Sequence, residues 1–422
     1  MPSFQFLLFV LVLNLILAAI NLRAYRWFVE AFAPAPWLRR FVAGLLGASL
    51  LTTFAGRLVS RAGYELAVPG LFVLAFAVQL AALISVALLL CLDLWRLLRR
   101  LGRFALAFRR TIDSQRAVQP EPEQKPAPAP EVAVSRRHFA LQAAVGSTFL
   151  IGGSSSVYGS LLGRHDYVIE DVPIAIPGLS RAFDGFSIVQ LSDIHIGQFV
   201  GEPELRAAET LVRQAAPDLI VLTGDLLDHD PRFAEHLGRF VRRLEPLARH
   251  GVCVVSGNHD FYAGITPTVS ALEAGGARVL RNQGIVLGDA SAGIALLGVD
   301  DVRGARFEPH AGPDLTRALA SLPTMAGRVS PALDLPRVLL CHNPSYFEHA
   351  QGRVDLQLSG HTHGGQVNLL VRPADWVFPH GWIAGLYREG SSRLYVNRGF
   401  GTAGPPARVG APPEVSRIVL TV

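Results

Sequence analysis

Val68 to Leu92 is the stretch that most limits this chain, because Gln79 is its only strongly polar side chain. About 20 such residues in a row read as a helix that crosses a bilayer, where backbone groups find no partner except within their own helix. Phe4 to Leu22 is a second uncharged candidate. Phe41 to Gly56, between Arg40 and Arg57, is a third and is short, so snorkelling arginines would have to extend it. The basic stretch Arg96 to Arg110, with Leu, Phe and Ala interleaved, reads either as an amphipathic helix on an anionic membrane surface or as a solvated continuation of the preceding span. Residues 1–110 therefore form a transmembrane region. Residues 111–134 form a linker whose Pro-rich part, Gln119 to Pro130, cannot pack a core and is expected to be extended. Residues 135–163 open on Ser135-Arg136-Arg137 and run on as a Gly/Ser-diluted apolar stretch to Leu162. We read them as a fourth span. The paired arginines also resemble a twin-arginine export signal, but the internal position and the lack of an A-x-A site speak against one.

Charge then orients these segments. The chain of 422 residues is 50% hydrophobic and 17% charged, with a net charge of +5. Its first third concentrates arginines at the borders of apolar runs, which is a membrane pattern and excludes a solvated nucleic-acid-binding tail. The loop between the first two spans carries Arg23, Arg26, Arg39 and Arg40, and the segment after the third is Arg-rich, whereas the loop between has only Arg57 and Arg61. Placing the larger clusters inside predicts an outside N-terminus and a multi-pass inner-membrane protein whose C-terminal domain lies on the periplasmic side. The spans show no internal charge pairs or broken helices, so nothing marks a transporter. Cys91, Cys253 and Cys341 show no paired spacing and predict no disulfide framework.

From residue 164 to 422 short apolar runs alternate with amphipathic stretches, an α/β pattern. Six runs end in polar clusters. Ser187–Leu191 leads to Asp193 and His195, Leu219–Thr223 to Gly224 and Asp225, and Val252–Val255 to Gly257-Asn258-His259-Asp260. Val338–Cys341 leads to His342, Asp355–Leu358 to Gly360-His361-Thr362-His363-Gly364-Gly365-Gln366, and Leu394–Val396 to Asn397-Arg398-Gly399. Strands side by side in one sheet would bring all six clusters to one edge, where α/β sheets build sites. Asp, Asn and His are mixed oxygen and nitrogen ligands. Seven of them exceed one ion's needs but suit two ions sharing a carboxylate. Two cations about 3.5–4 Å apart clamp a phosphoryl group and acidify the water between them.

The ordered set D-x-H, G-D, G-N-H-D, an isolated His and G-H-T-H-G-G-Q resembles the calcineurin-like metallophosphoesterases over roughly Phe186 to Arg398. The wording LSDIHIG and GHTHGGQ, with several N-terminal spans, is similar to their membrane-bound bacterial branch. The resemblance implies a four-layer α/β fold, two mixed sheets packed face to face between helices, following an all-α transmembrane region of about four helices. It implies two divalent ions (Mn, Fe or Zn), with Asp193, His195 and His363 on one, Asn258, His342 and His361 on the other, and Asp225 bridging. His259 would then stabilise the phosphoryl oxygens or protonate the leaving group, with Asp260 orienting its ring. A hydroxide bridging the ions would attack phosphorus in line.

Tethering favours a phosphodiester or pyrophosphate of an envelope lipid, so the expected partners are the bilayer and a phosphorylated lipid, with no nucleic acid. Relatives of this branch are associated with hydrolysis of UDP-2,3-diacylglucosamine in lipid A synthesis, an alternative substrate whose cytoplasmic location conflicts with the expected sidedness. A metal-binding sensor or scaffold without turnover is the alternative of another class, and the complete ligand set argues against it. Asp228, His229 and Asp230 read as a helix N-cap and loop polars rather than site residues, and Asp300 and Asp301 as turn formers rather than ligands. Trp376, Phe378, His380 and Trp382 form either a flap over the core or an apolar lip that admits a lipid tail or touches the bilayer.

Overall fold

The computed structural model describes residues 3–61, 68–114, 136–288, 292–323, 335–369, 371–378 and 380–422. The Pro-rich linker lies outside them, apart from residues 111–114, which are helical. The chain divides into two compact units, one of residues 1–58 with 70–157 and one of residues 59–69 with 158–422.

The first unit is helical: α1 (Ser3–Phe32), α2 (Pro36–Arg61), α3 (Pro69–Ser114) and most of α4 (Arg136–Leu161). Pro36 and Pro69 open α2 and α3, where a missing N–H costs nothing. Among the described residues, three segments are long and apolar enough to cross a membrane: Leu7–Phe32, Pro36–Val59 and Pro69–Ala107. The second is therefore not short. The basic stretch continues α3 without a break, since Leu, Arg and Ala favour helix and no proline intervenes. The α4 helix is not one of the three, because Gly152-Gly153-Ser154-Ser155-Ser156 dilutes its apolar character. One residue beyond the predicted third span, Asp93 of α3 pairs with Arg23 of α1. Arg23 Nε donates to Asp93 Oδ2 at 2.8 Å, the Trp27 indole N–H donates to the same oxygen at 3.2 Å, and the Arg96 guanidinium lies 3.9 Å from the Trp27 ring centre. This clamp fastens α1 to α3. Deeper in, Gln79 Nε2 donates to Ser49 Oγ at 2.7 Å, so the one strongly polar side chain of Val68–Leu92 is partnered by α2.

The second unit contains β1 (Val168–Ala175), β2 (Ser187–Leu191), β3 (Leu219–Thr223), β4 (Val252–Val255), β5 (Arg278–Val279) and β6 (Gln283–Leu287). It continues with β7 (Ile294–Gly298), β8 (Arg337–Leu340), β9 (Leu356–Ser359), β10 (Gly385–Glu389), β11 (Ser392–Val396) and β12 (Glu414–Thr421). They form two six-stranded mixed sheets, ordered β1-β12-β2-β3-β4-β5 and β10-β11-β9-β8-β7-β6. The helices are α5 (Glu202–Ala215), α6 (Ala234–Leu244), α7 (Asn258–Ala263), α8 (Ile265–Ala274), α9 (Leu315–Ala320) and α10 (Phe347–Ala350).

Residues of alternating parity along each strand fill different cores, as a period of two requires. Ile188, Val221 and Val255 of the first sheet meet Leu296, Val338, Leu340 and Leu358 of the second. Val189, Leu191, Ile220 and Leu222 face the other way, onto Leu205 and Val212 of α5 and Leu237 and Phe240 of α6. Leu297, Leu339 and Leu394 face outward onto Leu315 of α9 and Phe347 of α10. The result is helix, sheet, sheet, helix. All six sequence-predicted runs are strands, but they do not share one sheet. The runs β2, β3 and β4 lie side by side in the first sheet, and β8, β9 and β11 belong to the second. The expected single edge is thus two edges facing one another.

Candidate metal centre

The two edges meet above the inner core. Gln190, on the inward face of β2, donates to Thr223 Oγ1 at 2.8 Å and to the Ser359 carbonyl at 2.9 Å, tying the sheets together directly beneath the polar clusters. Past each strand end the backbone turns sharply. Asp193, His195, Asp225, His361 and His363 all adopt left-handed conformations, with φ between 52° and 73°. Asp and His tolerate this region better than most residues, and non-glycine residues held there are concentrated at functional sites. Gly360 precedes His361 because a Cβ there would lie 1.9 Å from Ser192 Oγ and 2.2 Å from Asp193 Oδ2.

Six of the seven sequence-predicted ligands fall into two groups. Asp193, His195 and His363 form one and Asp225, His342 and His361 the other, with the donor atoms of each group within 4.8 Å of one another. His195 Nε2 and His363 Nε2 are 3.1 Å apart, and His363 Nε2 is 3.3 Å from Asp193 Oδ1. In the second group His342 Nε2 lies 3.1 Å from His361 Nδ1 and 3.2 Å from Asp225 Oδ2. The same Asp225 oxygen lies 3.9 Å from His195 Nε2, which puts this carboxylate between the groups. The seventh ligand, Asn258, opens α7 with its Oδ1 buried and without a hydrogen-bond partner.

Electrostatics prepare these groups for cations. Burial, then the neighbouring His342, pushes the His361 imidazole down to about 3. Burial, then Arg408, pushes His363 well below its ordinary value. Both rings are therefore neutral and keep a lone pair. Burial opposes the charge on Asp225, but His342 and His259 outweigh it and hold the carboxyl well below the usual range. The Thr223 carbonyl lies 2.8 Å from His342 Nδ1. A carbonyl only accepts, so Nδ1 carries a proton. Burial opposes a charge on this ring, but Asp225 beside Nε2 outweighs it and holds the imidazole well above its ordinary value. Nε2 is the nitrogen that would exchange its proton for a cation. Opposed imidazole nitrogens, a carboxylate between them and an orphaned amide oxygen make a donor set that fits divalent ions of mixed N/O preference.

Around His259 the sequence expectation needs correction. Its backbone N–H donates to Asp225 Oδ1 at 2.7 Å, and its ring Nδ1–H donates to the Asp228 carbonyl at 2.7 Å. Asp260 does not orient that ring. Its carboxylate accepts the backbone N–H groups of Gly257, Leu226 and Leu227 at 2.8, 2.9 and 3.1 Å, so it braces the turns beneath Asp225. The side chain beside the ring is Asp228, whose Oδ1 lies 3.5 Å from both His259 Nδ1 and His195 Nδ1. Burial opposes the charge on His259, but Asp225 and then Asp228 outweigh it and hold the imidazole up to about 9. Asp230 caps a short helical turn as expected, accepting from Arg232 N. Asp301 opens a turn, its carbonyl accepting from Gly304 N and its side chain from Arg303 N, whereas Asp300 pairs with Arg281.

The aromatic loop divides. Trp382 is buried, stacked on His380 and edge-on to Phe347, so it belongs to the core. Trp376 and Val377 are 77% and 72% exposed, while Phe378 lies edge-on to His361 at 6.1 Å between ring centres. Sequence reasoning missed Arg408. It is 1% exposed and donates to the His363 carbonyl at 3.0 Å. Its only outward sign is a lone charge in a run of glycine, proline and alanine.

The sequence profile described as calcineurin-like phosphoesterase matches residues 186–365. The uncharacterized metallophosphoesterase YkuE of Bacillus subtilis (strain 168) is 32% identical over 298 residues, 68% of this chain and 98% of that protein. A transmembrane protein with metallophosphoesterase domain from Danio rerio is 32% identical over 279 residues, 63% of this chain and 60% of its own length. A crystal structure of a dimetal phosphatase from Danio rerio aligns over 54% of this chain and 91% of its own, at 11% identity and a TM-score of 0.34.

Proposed function

The chain belongs to the calcineurin-like metallophosphoesterases, and from that premise we propose that it is a membrane-anchored enzyme hydrolysing a phosphodiester or pyrophosphate of an envelope lipid at a dinuclear centre. One observation carries the reading: Asp225 Oδ2 stands between two opposed ligand groups, 3.2 Å from His342 Nε2 and 3.9 Å from His195 Nε2. Asp193, His195 and His363 would hold one ion, and Asn258, His342 and His361 the other, with Asp225 shared. Divalent ions there supply the Lewis acidity that activates water and neutralises phosphoryl charge. The chain's own residues do the rest. The Asp228 carbonyl holds the proton of His259 Nδ1, which leaves Nε2 as the nitrogen that gives a proton to the departing oxygen. Asp260 keeps the turns carrying Asp225 and Asn258 in place through three backbone N–H groups.

The lipid part of the proposal rests on the three segments long and apolar enough to cross a membrane and on the loop that exposes Trp376 and Val377 while setting Phe378 beside His361. The test uses the full chain in detergent. With Mn²⁺ it hydrolyses bis-p-nitrophenyl phosphate, and both chelation and Asp225→Asn abolish the activity. Full activity in Asp225→Asn would sink the mechanism. In the double variant Trp376→Ala, Val377→Ala, activity on a phospholipid diester in mixed micelles falls and activity on the soluble ester is kept. Equal retention of both would remove the lipid proposal.

A further inference from the structure

Arg408 is a fully buried arginine whose polar neighbours are backbone carbonyls and the His363 ring. Its Nε donates to the Gly401 carbonyl at 3.0 Å. One terminal nitrogen donates to the carbonyls of Arg398, His363 and Ala411 at 2.7, 3.0 and 3.3 Å. The other donates to the Gly399 carbonyl at 3.0 Å and lies 3.2 Å from His363 Nδ1. A planar fork with five N–H groups can serve several carbonyls at once, which a lysine cannot.

Those carbonyls are not scattered. Gly399 and Gly401 belong to the turn after β11, and this turn grips the backbone beside the first ligand. Phe400 N donates to the Ser192 carbonyl and Gly401 N to the Asp193 carbonyl, both at 2.8 Å. A Cβ on Gly399 would stand 2.8 Å from Asp193 Cβ. Arg408 thus touches His363 directly and Asp193 through one turn, and both belong to the same ligand group. None of its bonds reaches Asp225, Asn258, His342 or His361. Arg408 is itself held from the chain's entry into this unit: its N–H donates to the Gly159 carbonyl in the last turn of α4 at 3.0 Å. Gly163 packs so tightly there that a Cβ would lie 2.3 Å from the Arg408 carbonyl oxygen.

We infer that Arg408 is a positioning residue that shapes one half of the metal centre, the Asp193–His195–His363 half, and that the end of α4 sets where Arg408 sits. This rests on the two-ion reading above. The experiment uses the full chain in detergent, as wild type, Arg408→Lys, Arg408→Gln and Gly163→Ala. In metal-free protein, hydrogen–deuterium exchange over 361–366 and 397–401 becomes roughly tenfold faster or more in the Arg408 variants, while β3 and β4 keep wild-type protection. Titration with Mn²⁺ against a chelator shows one of two equivalents weakened by about 10–100-fold and the other unchanged. Exchange and both affinities as in wild type would overturn the inference, and so would a loss spread evenly over the whole domain. If the Arg408 variants do not fold, Gly163→Ala decides: selective weakening of one equivalent supports the coupling, and unchanged binding overturns it. A wild type that holds fewer than two Mn²⁺ ions would refute the two-ion reading by itself, and the metal-free exchange would still decide the role of Arg408.

Discussion

At the scale of single residues, the division of work between Asp228 and Asp260 separates activity from stability. Asp228 lies beside the His259 ring, whereas Asp260 pairs three buried backbone donors. Asp228→Ala is expected to lower kcat for bis-p-nitrophenyl phosphate by about 10–100-fold with little change in Tm, as loss of an outer partner does. Asp260→Ala strands the Gly257, Leu226 and Leu227 N–H groups and costs about 2 kcal/mol or more of stability, read by thermal or urea unfolding. A large Tm loss in Asp228→Ala with none in Asp260→Ala would reverse the assignment. The sequence misled here for a geometric reason. Asp260 follows His259 directly, but both lie on α7, and neighbours i and i+1 on a helix do not face each other. Asp228 comes from another loop, and only the fold brings it alongside. The metal-ligand candidates were legible because each follows a buried apolar run. Arg408 was not legible, because it acts on carbonyls, which every residue has.

At the scale of elements, the strand ends are the working parts. The six runs could be read because β-branched and Leu-rich segments bounded by glycine have few other uses. Their division between two sheets could not, since alternation along a strand says which residues face the same way and not which strands pair. The joining strand β12, antiparallel to β2 and parallel to β1, left no polar cluster to mark it. In the first unit, the continuation of α3 through the arginines was open because both readings are helical and share one sequence pattern. The close approach of Gly360 to Asp193 gives an element-scale prediction. Gly360→Ala displaces the Ser192 and Asp193 side chains or pushes the turn after β9 away from the end of β2, because a Cβ would stand 1.9 Å from Ser192 Oγ and 2.2 Å from Asp193 Oδ2. Metal analysis after gel filtration is expected to show at least one equivalent lost in a protein of unchanged elution volume. Full wild-type metal content would show that the turn gives way at no cost.

At the scale of the whole molecule, sidedness turns on α4. Three segments qualify as spans and α4 is too dilute in apolar residues to join them on composition alone. If α4 is a fourth crossing, the arginine distribution predicts a hydrolase domain outside the cytoplasm. A C-terminal alkaline phosphatase fusion is then active and a C-terminal GFP fusion dark. The reverse pattern would put the domain in the cytoplasm and favour the nucleotide-linked lipid precursor as substrate. The sequence specified the hydrolase domain more fully than its anchor, because ligands must be particular residues while a membrane helix asks only for greasiness. The meeting of the two sheet edges, pinned below by Gln190 and Ser359, has one more outcome. With ligands drawn from both sheets, an ion that binds the closed sandwich more tightly than the parted one works as a rivet. Its affinity and the cohesion of the sheets are then a single linked quantity. On the two-ion reading, a chelator would loosen this protein as well as inhibit it.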